Sequence, residues 1–269
     1  KEGESNISMR IEETEDKSGV EVAGRGILHL SVLMETMRRE GFEFQVGTPK
    51  VLFKTVDGVK MEPIEDAAVE TPSEYAGKVI EVFGFNGGTM VDMSTYGDRT
   101  TLRFEIPTRG VMGLRTKVLN VSHGEAIFSH RFSKYGPVAG NVTGRKNGVM
   151  VAMATDKAVA YALDTLQQRG TMFVEPGDEC YEGMIVGECA KEGDMDVNVS
   201  KTKQLGNQRS STADKAILLT PPVVFTLEEA LEYIQEDELV EVTPKSIRLR
   251  KRTLDKIGRK KERARAMGK

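Results

Sequence analysis

Residues 24–51 read GRGILHLSVLMETMRREGFEFQVGTPKV, and this stretch decides how the first part of the chain folds. Apolar residues recur at helical spacing from Ile27 onward, which predicts an amphipathic helix that ends at Gly41. An alternating strand follows over residues 42–46 and ends before Pro49. The pattern alone therefore predicts a helix packed on a small sheet.

The same order of elements repeats in complete form between residues 57 and 136. Thr71 and Glu74 have the spacing of a capping box at the start of a helix. Apolar residues alternate at Leu102, Phe104 and Ile106, as in a half-buried strand. The predicted elements are strands near 62–70, 88–94, 99–106 and 125–132, with helices over 73–84 and from Pro107 onward. The order βαββαβ is typical of a split-βαβ, ferredoxin-like sandwich.

Short strands dominate the prediction for residues 137–269. A helix is predicted over 157–168, and a second helix has a capping box at Thr226 and Glu229. A hairpin is predicted across Pro244, with Val240 and Val242 opposite Ile247 and Leu249. Residues 200–215 contain only one apolar side chain larger than alanine, Leu205, so this segment is predicted to be a mobile loop.

Together these patterns predict an α+β protein of three domains. Residues 1–56 are predicted to form a ferredoxin-like domain truncated at its start, because its second helix would have to precede Lys1. Residues 57–136 form a second ferredoxin-like domain. Residues 137–269 form a mostly β domain that ends in a basic tail at 244–269.

Charge is distributed unevenly along the 269 residues. Residues 244–269 contain 12 Lys or Arg against two acidic residues, which gives +10, while the whole chain carries −3. A basic terminus on an acidic body favours a polyanion that is held by one end of the molecule. The acidic run from Glu228 to Glu241 is an alternative, intramolecular acceptor for some of this charge.

The remaining composition indicates an ordinary globular protein, with 39% hydrophobic and 29% charged residues. No run of about 18 apolar residues is present, so we expect no membrane partner. Cys180 and Cys189 fit no common zinc spacing and favour a reduced, cytoplasmic protein. The chain begins KEGES, which resembles neither a signal peptide nor an initiator start, and we expect a piece of a longer protein.

Several motifs resemble one family of proteins. The stretch GRGxLHL followed by MRREGFE is similar to the third domain of translational GTPases of the elongation factor G type. Five further motifs resemble the BipA (TypA) branch of that family: PTRGVMG at 107–113, RKNG at 145–148, QRG at 168–170, YEGMIVG at 181–187 and DELVEVTPKSIRLRKR at 237–252.

This resemblance implies a function as well as a fold. It implies that the three predicted domains are the third domain, the fifth domain and the BipA-specific C-terminal domain of a ribosome-binding GTPase. The implied partners are the factor-binding region of the large ribosomal subunit, ribosomal RNA and the tRNA acceptor end. The implied role is in large-subunit assembly and in translation under stress or cold, and we expect a monomer.

The nucleotide-binding motifs of such a GTPase are missing from these 269 residues. The sequence contains neither a Gly-x-x-x-x-Gly-Lys-Ser/Thr loop nor an Asn-Lys-x-Asp motif. We therefore expect GTP and Mg²⁺ to bind a domain outside this sequence, and we expect no catalytic, cofactor or metal residue and no GTP hydrolysis on this chain alone.

Three groups of residues are predicted to bind RNA. Cationic and amide side chains of the 200–215 loop can contact phosphates and sugars, although the loop is equally consistent with a solvated excursion. Arginines at the start of the second helix of the middle domain can form an anion site with the helix N-terminus, or can bond carbonyl groups of a strand-to-helix corner. The predicted set is Lys201, Lys203, Gln204, Asn207, Gln208, Arg209, Ser210 and Lys215 in the loop, Arg109 and Arg115 at the helix, and Arg248, Arg250, Lys251, Arg252, Arg259, Lys260 and Lys261 in the tail.

Two other functions are compatible with the sequence. The chain can be a self-standing RNA-binding or ribosome-assembly module with no GTPase partner. An enzyme with a hydrolase site around His123 or His130 is the third interpretation, although no motif places a nucleophile beside either histidine.

Overall fold

The computed structural model describes residues 8–14, 17, 19–138, 140, 144–202 and 217–267. It is a mixed α+β structure in which several sheets carry helices. The chain divides into two compact units. Residues 49–144 form one unit, and residues 1–48 together with 145–269 form the other.

The unit of residues 49–144 has ferredoxin-like topology. Its main sheet has the order β8-β5-β7-β6 with every pair antiparallel, and the short strand β4 adds to the start of β5. This order is that of a βαββαβ sandwich, as the sequence predicts. The elements are β4 (Lys54–Val56), β5 (Val59–Pro72), α2 (Ala76–Phe85), β6 (Thr89–Tyr96), β7 (Arg99–Pro107), α3 (Thr108–Val111), α4 (Leu114–Val121) and β8 (Ile127–Pro137).

Alternation along β7 explains how this sheet forms its core. Leu102, Phe104 and Ile106 are at most 2% exposed and face the helices, whereas the residues between them lie on the more accessible face. The ring of Phe104 stacks on Phe83 of α2 with a centroid distance of 3.9 Å. Period-two alternation therefore predicts the buried face of this strand correctly.

The predicted capping box at Thr71 does not form. Thr71 is still part of β5, where it is buried and pairs with Thr100 of β7. A short 3₁₀ turn, Ser73–Tyr75, precedes α2, and the Ser73 hydroxyl donates to the carbonyl oxygen of Asp98 at 3.0 Å. The strand continues two residues further than predicted, so Thr71 cannot adopt the capping position.

The other unit is built on a seven-stranded sheet. Its strand order is β14-β9-β13-β16-β15-β3, and β11 also pairs with β13. The elements of the C-terminal part are β9 (Val149–Ala152), β10 (Asp156–Lys157), α5 (Ala160–Gln167), β11 (Gly170–Met172), β12 (Glu179–Cys180), β13 (Met184–Cys189), β14 (Met195–Val197), α6 (Leu227–Tyr233), β15 (Glu238–Val242), β16 (Ile247–Lys251) and α7 (Lys256–Met267). The first part of the chain contributes β1 (Arg10–Glu13), β2 (Val20–Ala23), α1 (Ile27–Arg39) and β3 (Phe44–Gly47).

Both faces of this sheet are buried. The four residues of β9 alternate between two hydrophobic clusters, with Val149 and Val151 on the α6 side and Met150 and Ala152 on the other side. The second cluster includes Leu163 of α5. At β9 the sheet therefore lies between two apolar layers, and this strand is apolar throughout.

The first segment of the chain joins this sheet. α1 and β3 form as the opening stretch predicts, and Gly41 ends the helix with a φ of +94°. However, β3 pairs with β15 in the register Val46↔Val240, and α1 packs beside α6. The described residues thus place α1 and β3 with the C-terminal sheet. The division at residues 56 and 136 and the first ferredoxin-like domain stay predictions.

α6 starts with the capping box that the sequence predicts. The Glu229 amide donates to Thr226 Oγ1 at 3.3 Å, and the Glu229 carboxylate accepts from the Thr226 amide at 2.8 Å. Thr226→Ala removes the hydroxyl that accepts from the Glu229 amide and should lower the free energy of unfolding by about 1 kcal/mol. Urea denaturation followed by circular dichroism measures the loss. Thr220→Ala, at an exposed position outside any helix, is the control and should leave the midpoint unchanged. Equal midpoints for the two variants would contradict the capping role.

Candidate nucleic-acid interface

Most of the predicted RNA-binding loop lies outside the described residues. Lys201 is described and exposed. The other seven loop residues of the predicted set lie outside the described residues: Lys203, Gln204, Asn207, Gln208, Arg209, Ser210 and Lys215. The role of the loop in binding RNA therefore stays a prediction.

Arg109 does not form the anion site that the sequence suggests. Its guanidinium donates through Nε to Oε2 of Glu62 at 2.6 Å and through Nη2 to Oε1 at 3.2 Å. Nη2 also donates to the carbonyl oxygen of Gly140 at 2.7 Å. Glu62 is fully buried, so a carboxylate of the protein already occupies the position where an external anion would bind. Arg115 is exposed on α4 and stays a candidate.

The basic tail is not uniformly exposed, because Lys251 at the end of β16 is buried. Its side chain is only 2% exposed, and Nζ contacts three carboxylates. The distances are 2.8 Å to Asp194, 2.8 Å to Asp237 and 2.9 Å to Glu238. A buried ammonium needs such partners, since an unpaired charge in the interior is strongly unfavourable. Lys251 is therefore part of the fold and is not available to RNA.

Glu238 connects Lys251 to a second cation. Its carboxylate accepts from both terminal nitrogens of Arg145, at 2.8 and 3.2 Å. It also accepts from the backbone N–H of Gln235 at 3.0 Å. The Arg145 guanidinium also lies over the ring of Tyr233 at 4.3 Å. These contacts are the cation–π and bidentate geometries for which arginine is suited. Arg145 belongs to one of the motifs that carry the family resemblance, and here it serves packing.

Electrostatic shifts in this network favour the ionised forms. Burial raises the pKa of Asp194, but hydrogen bonding and attraction to Lys251 outweigh it, so the pKa lies below its ordinary value. Burial lowers the pKa of Lys251, but its acidic neighbours, led by Glu238, raise it above the ordinary value. The contribution of Asp194 to stability is therefore lost only as pH falls through its depressed pKa. The contribution of Lys251 is lost only as pH rises through its elevated pKa.

A sequence signal could have found Lys251 and Glu238. In β16, Ile247 and Leu249 precede Lys251 at period two, so all three lie on one face of the strand. In the hairpin register Val240 lies opposite Leu249, and Glu238 lies opposite Lys251. The predicted hairpin already implied this pair. The basic run around Lys251 obscures this pair, because the net charge along a stretch of sequence does not show which face of the strand each residue lies on.

Arg250 of β16 is also paired within the fold. Arg250 donates to Glu241 at 3.1 Å, and the same carboxylate accepts from the hydroxyl of Tyr181 at 2.6 Å. Burial and this hydrogen bond raise the pKa of the Tyr181 phenol. Arg248 is half-buried, and Arg252 is exposed just beyond the strand. The acidic run at 228–241 therefore does take up part of the basic charge.

Two carboxylates that the sequence did not single out hold the C-terminal helix α7. Asp196 contacts Arg259 Nη2 at 2.7 Å and Lys256 Nζ at 3.5 Å. Asp194 accepts from Arg263. Arg259 is 5% exposed, so its charge is also used within the fold.

Three other cations of α7 are open to solvent. Lys260, Lys261 and Arg265 are exposed, and within the described part of the chain no ion pair involves them. Of the predicted tail residues, Lys260 and Lys261 are thus placed where a polyanion can reach them. Arg265 belongs to the same basic tail and is equally accessible.

The histidines make local contacts. His130 forms a hydrogen bond through Nδ1 to the carboxylate of buried Glu65 and stacks on Phe128. His123 has a positive φ of 52° in the turn after α4, and its ring packs on Tyr75 at 5.4 Å.

Both cysteines have free, buried thiols, and burial beside Asp178 raises the pKa of Cys180 to about 11. Among the described residues, no group of three or more His, Cys, Asp or Glu side chains is arranged to hold a metal ion.

Comparison with known proteins finds two regions that match protein families. Residues 59–146 match the family model of the elongation factor G C-terminus, and residues 147–256 match that of the TypA/BipA C-terminal domain. The protein from Bacillus subtilis named large ribosomal subunit assembly factor BipA is 46% identical over 260 residues, which is 96% of this chain and 42% of that protein. The chain belongs to the BipA/TypA family.

Relatives from other bacteria match to a similar extent. The factors of the same name from a Synechocystis species and from Escherichia coli K12 are 46% and 45% identical. The matches cover 93% and 95% of this chain and 42% of each relative. The chain therefore spans less than half the length of these BipA proteins and corresponds to the C-terminal region of the family.

The regions matched by the two family models correspond to the two observed units. The elongation factor G model covers the ferredoxin-like sandwich from β5 to β8. The TypA/BipA model covers β9 to β16, which provide every strand of the seven-stranded sheet except β3. α7 begins at the last residue of that model, so the exposed cations of α7 lie beyond it. No helix in the described part of the chain is long and apolar enough to cross a membrane.

Proposed function

We propose that this chain is the ribosome- and RNA-docking part of a BipA-type factor that acts in large-subunit assembly. The observation that carries the proposal is the match of 93–96% of the chain to proteins named large ribosomal subunit assembly factors. The net charge of +10 in residues 244–269 supports it, because ribosomal RNA is the dominant polyanion of that assembly.

The finer parts of this proposal concern partners. The docking surface faces the factor-binding region of the large subunit, and the segment at 200–215 reaches toward the tRNA acceptor end. The parent protein hydrolyses GTP with Mg²⁺ on a domain outside this sequence, and the physiological setting is stress or cold. Motion between domains would then pass ribosome contact to the nucleotide domain.

Sedimentation with purified large subunits tests the docking function. The chain should bind at 50 mM salt, and about six phosphate contacts should weaken binding roughly a thousandfold between 50 and 200 mM. Bovine serum albumin serves as an acidic control that should not sediment with the subunits. Absence of binding at 50 mM salt would contradict the proposal. Binding that does not change with salt would contradict the assignment of these cations to RNA phosphates.

A further inference from the structure

α7 lacks the apolar face by which helices usually pack. Its sequence, Lys256 to Met267, is KIGRKKERARAM, and the side chain of Ile257 is 63% exposed. A helix that is polar on all sides needs ion pairs or a partner to be stable. A groove of about 250 Å³, lined in part by Lys251, Arg259 and Arg263, lies along it. Close apolar packing therefore does not explain how α7 is held.

Ion pairs hold α7 instead. Lys256, Arg259 and Arg263 follow the spacing i, i+3 and i+7, so they lie on one face of the helix. This face meets Asp194 and Asp196, which β14 and the turn before it present. The Asp255 carboxylate accepts from the Gly258 amide at 2.7 Å and fixes the first turn. The orientation of the helix is thus set by two carboxylates and a cap.

The opposite face of α7 remains positive. Lys261 and Arg265 are four residues apart, so they lie on one side of the helix about 6 Å apart along its axis. Lys260 is exposed at the boundary between this outward face and the ion-paired face. One acidic side chain, Glu262, lies between these faces, and its carboxylate accepts from the Thr253 hydroxyl at 2.7 Å. The docking contacts therefore separate neutralised cations from available ones.

We propose that the outward face of α7, formed by Lys260, Lys261 and Arg265, is a phosphate-binding surface for RNA, and that Asp194 and Asp196 position it. This inference rests on the proposed function and specifies which cations of the basic tail perform it. Arg259 and Lys251 stabilise the fold, whereas the three outward cations bind the RNA backbone.

The chemistry of this face favours RNA over an acidic protein. Protein interfaces depend on a desolvated apolar or aromatic centre, and the described part of α7 offers only the isolated Ile257. Three cations within six residues without an aromatic side chain suit a phosphate backbone, which is read by charge and not by base. The contact should accordingly depend on salt and should be insensitive to RNA sequence.

Charge removal on the outward face tests the surface. The triple variant K260Q/K261Q/R265Q should lose about three phosphate contacts on large subunits. Between 50 and 200 mM salt the affinity of the original chain should fall roughly a thousandfold, and that of the triple variant should fall only about 30-fold. The control K60Q/K78Q/K191Q removes three other exposed cations and should keep the original salt dependence. If the original chain binds and the two triple variants behave alike, the surface assignment is wrong. If the original chain does not bind at all, the proposed function fails instead.

Limited trypsin digestion tests the positioning role. R259Q/R263Q should release α7 from Asp194 and Asp196, so cleavage after Lys260 and Lys261 should be at least tenfold faster. R263K, which keeps the charge beside Asp194, should digest at the original rate. Mass spectrometry of the fragments distinguishes cleavage within α7 from cleavage elsewhere in the chain, and cleavage elsewhere would report global unfolding. Equal cleavage of α7 in the original chain and in R259Q/R263Q would overturn the positioning role.

Discussion

Replacing Lys251 with methionine should lower the free energy of unfolding by about 3–5 kcal/mol, the cost of leaving a buried charge without its partner. Methionine fills a similar volume, but it removes the ammonium that Asp194, Asp237 and Glu238 share at 2.8–2.9 Å. Glu238 is fully buried, and among the described residues Arg145 would be its one remaining cationic partner. The large loss follows because the carboxylates remain in place after the lysine is removed.

Urea denaturation followed by circular dichroism measures this loss, since the chain has no tryptophan to report by fluorescence. Hydrogen exchange of the β15 and β16 amides assigns the loss to this sheet. Lys245→Met is the matched control, because Lys245 is exposed in the turn of the same hairpin. Its free energy of unfolding should stay within about 0.5 kcal/mol of the original. A similarly small effect for Lys251→Met would show that the network does not stabilise the fold.

The deficit of Lys251→Met should also depend on pH. The pKa of Asp194 is held below its ordinary value when Lys251 is present. Its contribution to stability is therefore complete above the ordinary pKa of about 4 and is lost as pH falls through the depressed value. Consequently, the difference between the two proteins should shrink below about pH 4. A difference that stays constant from pH 7 to pH 3 would contradict the ionic origin of the effect.

Local patterns predicted much of the architecture. The alternation in β7, the capping box at Thr226 and the hairpin across Pro244 each depend on residues that are close in sequence. All three are present in the structure. Side-chain period and capping chemistry act over a few residues, so a single sequence contains enough information to predict them.

Long-range pairing was the main limit. β3 finds its partner β15 almost 200 residues later, and nothing in FQVG specifies which sheet it completes. Prediction of the candidate site is limited in the same way, because the number of charged residues in a sequence does not show which cations are paired in the fold. Asp194 and Asp196, which neutralise one face of α7, lie some 60 residues before it in a short strand and its preceding turn. The sequence thus indicates a basic tail but not which of its side chains face solvent.

Replacing Arg109 with methionine should destabilise the unit of residues 49–144 by about 3–5 kcal/mol, because fully buried Glu62 loses its bidentate guanidinium. Hydrogen exchange of the β7 amides should show the loss, while amides of the seven-stranded sheet keep their protection. Arg115→Met is the control on the same corner, and as an exposed substitution it should change stability by less than about 0.5 kcal/mol.

A double variant and a binding measurement separate the structural role of Arg109 from RNA recognition. Glu62→Leu combined with Arg109→Met removes both charges and should recover part of the stability, since a buried ion pair is often replaceable by apolar side chains. A phosphate-binding arginine behaves differently, because its loss reduces the salt slope of binding by about one. Arg109→Met should instead keep the original salt slope on large subunits at a temperature where it is folded. The opposite result would be a variant as stable as the original chain whose salt slope falls by about one. Arg109 would then be the RNA contact that the sequence suggests. Its pairing with Glu62 would in that case not stabilise this corner of the sandwich.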